Sequence, residues 1–585
     1  MTRPGAYPGV GAIVTASTAC LPPRLMAAAG GDSPGTGQGP DALSLSVGRR
    51  RLNMVALFFG LAFVVVSARL IELTWNDTGE RQDLVQGNPA RGVADRASIV
   101  DRNGVVLASN LSAASLYANP RKVMDPSEAA RRLVRVLPGL SRGELEKKLS
   151  TQRSFVWLKR NLTPRQQWRV NELGLPGLAF QDEQRRVYPH GALAAHALGF
   201  VDIDNNGIAG IERYFDAELR APAGDGSPLA LSLDIRVQHV LRDELIKGLR
   251  TFRADGGAGI VLDVRCGEVL GLSSLPDFDP NRASGSTQNS LFNRATLGVY
   301  ELGSVFKTFT TAMALEAGVV KLSGGYDATD PLKINNYTIR DDHAKKRWLS
   351  VPEIFMYSSN IGSAKMAIDV GVERQREFLD RLGLTRRPPL ELPEVGAPLV
   401  PEPWREINTL TVSYGHGIAI SPIQLASAAA AVVNGGQLVP PTLLQRDADT
   451  APEGVRVVSE ETSAMMRRLM RLVVARGTGR KADVKGYQVG GKTGTAEKPG
   501  ADGYRHDALI SSFIANFPSD DPRYLVLVMY DEPKGTKLTR GLAGAGWTAA
   551  PVARRIIERI APILGVQPST GEEEGGDDLL IMANG

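Results

Sequence analysis

Two cysteines in 585 residues, Cys20 and Cys266, leave no disulfide framework, and neither sits in CxxC or Cys/His spacing that would hold zinc. Cys266 follows an apolar strand-like run and is expected to be a small buried or turn residue. Aromatics are sparse at 6%, no Lys/Arg-rich run interleaves with them, and a net charge of +5 is small for this length, so nucleic acid is not an expected partner. Repeats at solenoid periods are absent as well. Long apolar runs are scarce, and the one that stands out decides topology. Arg49, Arg50 and Arg51 precede Leu52 to Leu73, which contains LFFGLAFVVVSA and reaches transmembrane length if Asn53, Arg69 and Glu72 lie near its ends. Arg69 can snorkel to the outer interface beside Trp75. The preceding leader of about fifty residues and the lack of a clean A-x-A site argue against a cleaved signal peptide. The arginines place the N-terminus in the cytoplasm and residues after about 75 outside it.

What is present is ample material for folded cores, with 43% hydrophobic residues. Residues 1–48, rich in Gly, Pro, Ala and Ser, read as a disordered cytoplasmic tail, and 49–75 as the anchor. Strand-like stretches flank the Asn103-Gly104 turn signal, and Glu128–Leu137, Arg142–Leu149 and Asn161–Leu173 read as helices, with Pro164 tolerated in a first turn. The PAGDGSP loop at 222–228 marks a boundary between a first domain at 90–225 and a second at 228–565, and 566–585 reads as a disordered tail. In the second domain Ile235–Leu249 reads as a helix, Gly259–Asp263 with Val269–Ser273 as a hairpin, Leu525–Tyr530 as a buried strand and Ala549–Ile560 as a helix. This mixture implies an α/β (α+β) domain of helices packed on a sheet.

Three short motifs carry chemistry. Ser304 and Lys307 are three residues apart, so one helical turn puts both on one face and lets the lysine take the serine proton. Opening a helix there also exposes the serine N–H as a donor to a developing oxyanion. Lys307 has to be neutral to act as base. Burial and a second cation both depress a lysine pKa, and Lys492 is the candidate cation, itself remaining charged. Ser358 is placed to relay a proton, and Asn360 offers an amide to a substrate peptide bond. Lys492, Thr493, Gly494 and Thr495 read as a strand edge where a ligand backbone approaches, where cation and hydroxyls bind a carboxylate, and where the Thr495 N–H completes an oxyanion hole. Each motif alone is commonplace. In this order, about 50 and then about 130 residues apart, they are not. S-x-x-K, S-D-N and K-T-G are the signature of penicillin-binding proteins and related β-lactamases, here with Ser359 in place of the aspartate.

From the anchor to about residue 565 the chain resembles a class B penicillin-binding protein, a monofunctional peptidoglycan D,D-transpeptidase. RASIVDRNGVVLA (96–108), Arg186 to Pro189 with His196 and Gly199, and Gly207 to Glu212 resemble motifs of that family's non-catalytic pedestal. YELGSVFKTFT, MYSSNIGSAKMA, SYGHGIAISPIQLA and GGKTGTAEK resemble its catalytic segments. The resemblance implies a single membrane anchor, an elongated pedestal and a transpeptidase domain with a mainly antiparallel sheet flanked by helices. It implies that Ser304 attacks the D-Ala-D-Ala amide of a stem peptide, free or on a lipid-linked precursor, and that β-lactams acylate the same serine. No metal and no cofactor are needed. Implied partners are a polytopic glycan polymerase and other membrane proteins of the division machinery. The SYGHGIAISPIQLA stretch and the short pedestal resemble the septal member. An elongation-specific transpeptidase is the nearest alternative, and a membrane-anchored carboxypeptidase, β-lactamase or β-lactam sensor a more distant one.

Four further expectations follow. Arg102 and Glu212 form a structural ion pair. His416, between two glycines, is structural rather than a base. Asp341, Asp342 and His343 form a solvated loop near the substrate groove. The departures from the family pattern, Ala97 and Gly541–Val552, lie away from the active site.

Overall fold

The computed structural model describes residues 96–220, 227–334, 337–446, 453–500 and 503–569, with six more between 60 and 67. The expected N-terminal tail, most of the anchor, the linker before residue 95, most of the 222–228 loop and the tail from residue 570 lie outside the described residues. Among the described residues, no helix is long and apolar enough to cross a membrane. Residues 92–585 form one compact unit and residues 1–91 another.

The first part of the larger unit is built on one long strand. β1 (Ile99–Val100) turns at Asn103-Gly104 into β2 (Val106–Ala118), where Asp101 Oδ1 accepts from the Asn103 and Val105 N–H groups at 2.8 Å. α1 (Pro126–Val136) and α2 (Arg142–Leu149) follow, then β3 (Val156–Leu162), α3 (Pro164–Asn171) and β4 (Leu178–Val187). α3 begins where Thr163 and Gln166 make a reciprocal capping box, with Pro164 in its first turn as expected. β3 and β4 both pair antiparallel with β2. Leu116, Leu133, Leu149, Leu158 and Leu162 close a small core of their own under α1 and α2.

The base of this pedestal has no separate core. β1 pairs in parallel with β5 (Leu229–Ala230), and Ile99, Leu107, Leu198, Ile211 and Leu219 belong to the same buried cluster as Phe309, Ile354 and Ala364 of the second part. At its centre Glu212 is fully buried and held by two arginines, Arg96 Nε to Oε2 and Arg186 Nε to Oε1, each at 2.6 Å. The Arg102–Glu212 pair expected from sequence does not form. Arg102 lies beyond β1, where its N–H donates to the Leu233 carbonyl, and its guanidinium pairs with Glu268 at 3.1 Å. Arg96 takes that role, pairing with the Glu212 carboxylate and donating to its backbone carbonyl as well.

The second part is a three-layer sandwich. α4 (Ile235–Phe252) leads into β6 (Gly256–Asp263) and β7 (Val269–Leu275). Later come β8 (Gly490–Gly500), β9 (Gly503–Phe517), β10 (Tyr524–Asp531) and a final helix, Ala549–Ile563. The sheet order is β8-β9-β10-β6-β7, antiparallel throughout, so β8 is an edge strand. In β10, Leu525, Leu527 and Met529 face one core, and Val526, Val528 and Tyr530 face the other, against α4 and the final helix. Burial on both faces is why LVLVMY reads as an unbroken apolar run. Cys266 lies in the β6–β7 turn, its thiol pushed up to about 11 by burial.

Candidate active site

The chain reaches Ser304 through a single 3₁₀ turn, Gly303–Phe306, which runs directly into a helix at Lys307–Glu316. Phe306 and Phe309 anchor this segment in the core, each about 1% exposed. Ser304 and Lys307 therefore share a face, and Lys307 Nζ lies 3.0 Å from Ser304 Oγ. The lysine is 1% exposed and makes three further contacts: the Ser358 carbonyl at 2.6 Å, Asn360 Oδ1 at 2.7 Å and Ser358 Oγ at 3.1 Å. The two shortest go to carbonyl oxygens, which can only accept. A neutral amine has two N–H groups to satisfy them, and its lone pair is then left for a hydroxyl proton. Burial pushes the Lys307 pKa down to about 7, against the opposing charges of Asp341 and Asp342.

Ser358 owes its position to two helices meeting end to end. It ends the helix Val351–Tyr357 at φ +61°, a left-handed conformation, and Ser359 then caps the helix Asn360–Val370. That kink turns the Ser358 hydroxyl between two amines, 3.1 Å from Lys307 and 3.0 Å from Lys492. Ser359 donates to Asp341 Oδ2 at 2.8 Å, and Asp341 Oδ1 accepts from the Ile361 N–H at 3.0 Å. Asp341 is thus part of the helix cap as well as of the groove wall. Asn360 is engaged at both ends: Oδ1 accepts from Lys307, and Nδ2 donates to the Arg340 carbonyl at 2.9 Å. Its amide holds the lysine.

Lys492 comes from edge strand β8 and is fully buried, with Nζ on Ser358 Oγ and the Thr493 carbonyl. Burial first, then the charge of Lys307, hold its pKa well below the ordinary lysine value. Two amines sharing one hydroxyl compete for charge, and the carboxylates nearby act on Lys307. Burial lowers the pKa of both lysines, and the charge of Lys307 lowers that of Lys492 further. Thr493 Oγ1 is 2.7 Å from Thr478 Oγ1, and Thr495 Oγ1 accepts from the Ala545 N–H at 3.1 Å. Gly494 has to be glycine, because a Cβ there would lie 2.3 Å from the Leu302 carbonyl and 2.5 Å from Ser512 Oγ.

Ser304, Ser358, Thr493 and Thr495 open onto a cleft of about 330 Å³. Asp342, His343 and Lys345 line it too, so the loop expected near the groove forms part of its wall, and among the described residues no His/Cys/Asp/Glu group could hold a metal. Gly544 to Trp547 also line it, correcting the expectation that the Gly541–Val552 departure lies away from the site. That segment precedes the final helix, which brings it back against β8. Sequence reasoning also missed Thr478 and Lys481, the latter lying 4.2 Å from the Trp547 ring centroid. No motif marks them; only the proximity of the loop after Ala475 to β8 does.

A family description, Penicillin binding protein transpeptidase domain, matches residues 257–558, over half of the chain, and Penicillin-binding Protein dimerisation domain matches residues 91–227. The chain belongs to the penicillin-binding protein family. It is 44% identical over 548 residues to the probable peptidoglycan D,D-transpeptidase FtsI of Caulobacter vibrioides, covering 92% of this chain and 91% of that protein. It is 28% identical to the peptidoglycan D,D-transpeptidase FtsI of Escherichia coli K12, covering 88% and 93%. Among solved structures, penicillin binding protein 3 of Mycobacterium tuberculosis complexed with ampicillin superposes with a TM-score of 0.66 at 26% identity, covering 82% of this chain and 98% of that one. A transpeptidase domain and a dimerisation-type domain thus stand together in this chain.

Proposed function

We propose that this penicillin-binding protein is a serine D,D-transpeptidase that cross-links peptidoglycan stem peptides, with Ser304 as nucleophile and Lys307 as its base. The observation that carries this reading is the buried Lys307 amine 3.0 Å from Ser304 Oγ, with its N–H groups committed to two carbonyls. Ser304 Oγ attacks the carbonyl between two D-alanines while its proton passes to Lys307. The tetrahedral oxyanion collapses, the C–N bond breaks, and Lys307 returns the proton through the Ser358 hydroxyl to the departing D-alanine amine. An amine of a neighbouring stem then attacks the Ser304 ester, giving up its proton along the same path, and Ser304 recovers its hydrogen. Thr493 and Thr495 receive the substrate carboxylate, whose charge would raise the proton affinity of Lys492 and let it serve as counter-cation. β-Lactams acylate Ser304 in place of the stem peptide.

The names of the relatives in Caulobacter vibrioides and Escherichia coli support placing this activity at cell division rather than elongation. In the same reading, residues 49–75 anchor the chain in the cytoplasmic membrane with residues 90–225 and 228–565 outside it. A polytopic glycan polymerase of the division machinery works alongside. Incubating the full chain with a fluorescent penicillin tests the core of the reading: wild type is expected to form a long-lived adduct on Ser304, and Ser304→Ala none. Labelling that persists in Ser304→Ala would refute it, and rapid release from wild type would point to a hydrolase.

A further inference from the structure

The turn carrying Ser304 is not held by its helix alone. The loop Ser413–Gly417 presses on it: the Gly303 N–H donates to the Gly415 carbonyl at 3.3 Å, and Thr310 Oγ1 donates to the Ser413 carbonyl at 2.7 Å. Gly415 has φ +86°, and a Cβ there would lie 2.1 Å from the Gly303 carbonyl oxygen, so the loop cannot come this close with any other residue. Three residues before the nucleophile, Glu301 ties this loop to the sheet. Its Oε1 accepts from the Gly417 N–H at 3.0 Å, and its two oxygens accept from the Tyr504 hydroxyl at 2.9 and 3.1 Å.

Tyr504 lies at the outer end of the β8–β9 hairpin, opposite Pro499 and beyond the irregularity at Glu497/Lys498. The ladder has already slipped register there, so the Glu301 contact holds the hairpin end where the strand pairing is weakest. The His416 ring fills the gap between Tyr414 and Tyr504, with centroids 5.4 and 5.5 Å away. The ring packs against both tyrosines and forms part of the wall between the loop and the hairpin. No Lys or Arg pairs with Glu301 among the described residues; its partners are one backbone N–H and one phenol.

We propose that Glu301 is a positioning residue. By joining the Ser413–Gly417 loop to Tyr504 it fixes the Ser304 turn relative to Lys307 on one side and to Thr495 on β8 on the other. The proposal rests on Ser304 being the nucleophile. Glu301 does not line the cleft and makes no hydrogen bond to Lys307, so its loss should slow acylation without changing which group titrates and with little change in non-covalent binding.

The test is acylation of the full chain by a fluorescent penicillin over a range of concentrations. This separates the non-covalent dissociation constant from the acylation rate constant, and mass spectrometry of the Ser304 peptide counts active molecules. Glu301→Ala and Tyr504→Phe are each expected to lower the rate constant about tenfold, equivalent to about 1.4 kcal/mol of barrier. The dissociation constant should stay within about twofold and the pH midpoint should not move. The double variant should be no slower than either single, because both remove the same link. Glu301→Gln, whose amide oxygen still accepts from Gly417, should recover part of the loss. An unchanged rate constant in both singles, a product of the two losses in the double, or a loss explained by fewer active molecules overturns the proposal. If wild type itself forms no adduct on Ser304, the nucleophile reading falls and takes the proposal with it; if wild type and variants label alike, only the positioning role falls.

Discussion

Neutralising Asp342 should make this enzyme faster in acid. Lys307 has to be uncharged to accept the Ser304 proton, and its pKa in the folded protein is about 7. Acylation should therefore rise as pH increases through 7 and fall tenfold per unit below it, to about 1% of maximum at pH 5. Burial lowers the pKa, while the charges of Asp341 and Asp342 raise it. Asp341 is committed to Ser359 and Ile361, so changing it would also disturb a helix cap. Asp342 is exposed in the cleft wall and can be neutralised at little structural cost. One unit charge several ångströms away through partly solvated cleft is worth about 0.5 pKa unit. Asp342→Asn should therefore move the midpoint to about 6.5 and triple the rate at pH 5, with no change at pH 8. The assay is the acylation rate constant with a fluorescent penicillin from pH 5 to 9. A flat wild-type profile through pH 7 would refute the role given to the Lys307 amine. A midpoint that moves up in Asp342→Asn would refute the electrostatic account.

Glu212→Ala should destabilise the protein by about 3–5 kcal/mol, because two buried guanidiniums lose their shared carboxylate. Thermal unfolding monitored by circular dichroism checks this, and a shift in Tm of under a degree would deny the pedestal base its place in the common core. Trp547→Ala should weaken non-covalent penicillin binding about threefold to tenfold, the cost of opening one apolar wall of the cleft, while leaving the acylation rate constant within about twofold. Equal binding by variant and wild type would remove Trp547 from the substrate path.

Much of the site was legible because its chemistry is local. Ser304 and Lys307 meet across one turn, and Ser358 to Asn360 span the kink between two helices. Residue type and short spacing suffice for that. Segments with a clear period or cap were equally readable: Pro164–Asn171 begins at its capping box, and β10 is the unbroken apolar run of a strand buried on both faces. The misreadings concern pairs distant in sequence. Arg102 was matched with Glu212, but the turn after β1 carries it to Glu268. Gly544 to Trp547 looked remote from the motifs, yet the final helix returns them to the cleft.

The sequence by itself determined the candidate nucleophile and its candidate base, the order of the three motifs and the expectation of a two-part chain. Those depend on residue type and on contacts within a few positions. Only the tertiary structure decided how charge is shared in the site. It placed two lysines on one hydroxyl, spent the Asn360 amide on holding Lys307, and brought Glu301 and Tyr504 together from either side of the catalytic motifs. The physical reason is that a pKa and an orientation depend on burial and on neighbours supplied by other strands and helices, and no linear spacing encodes either.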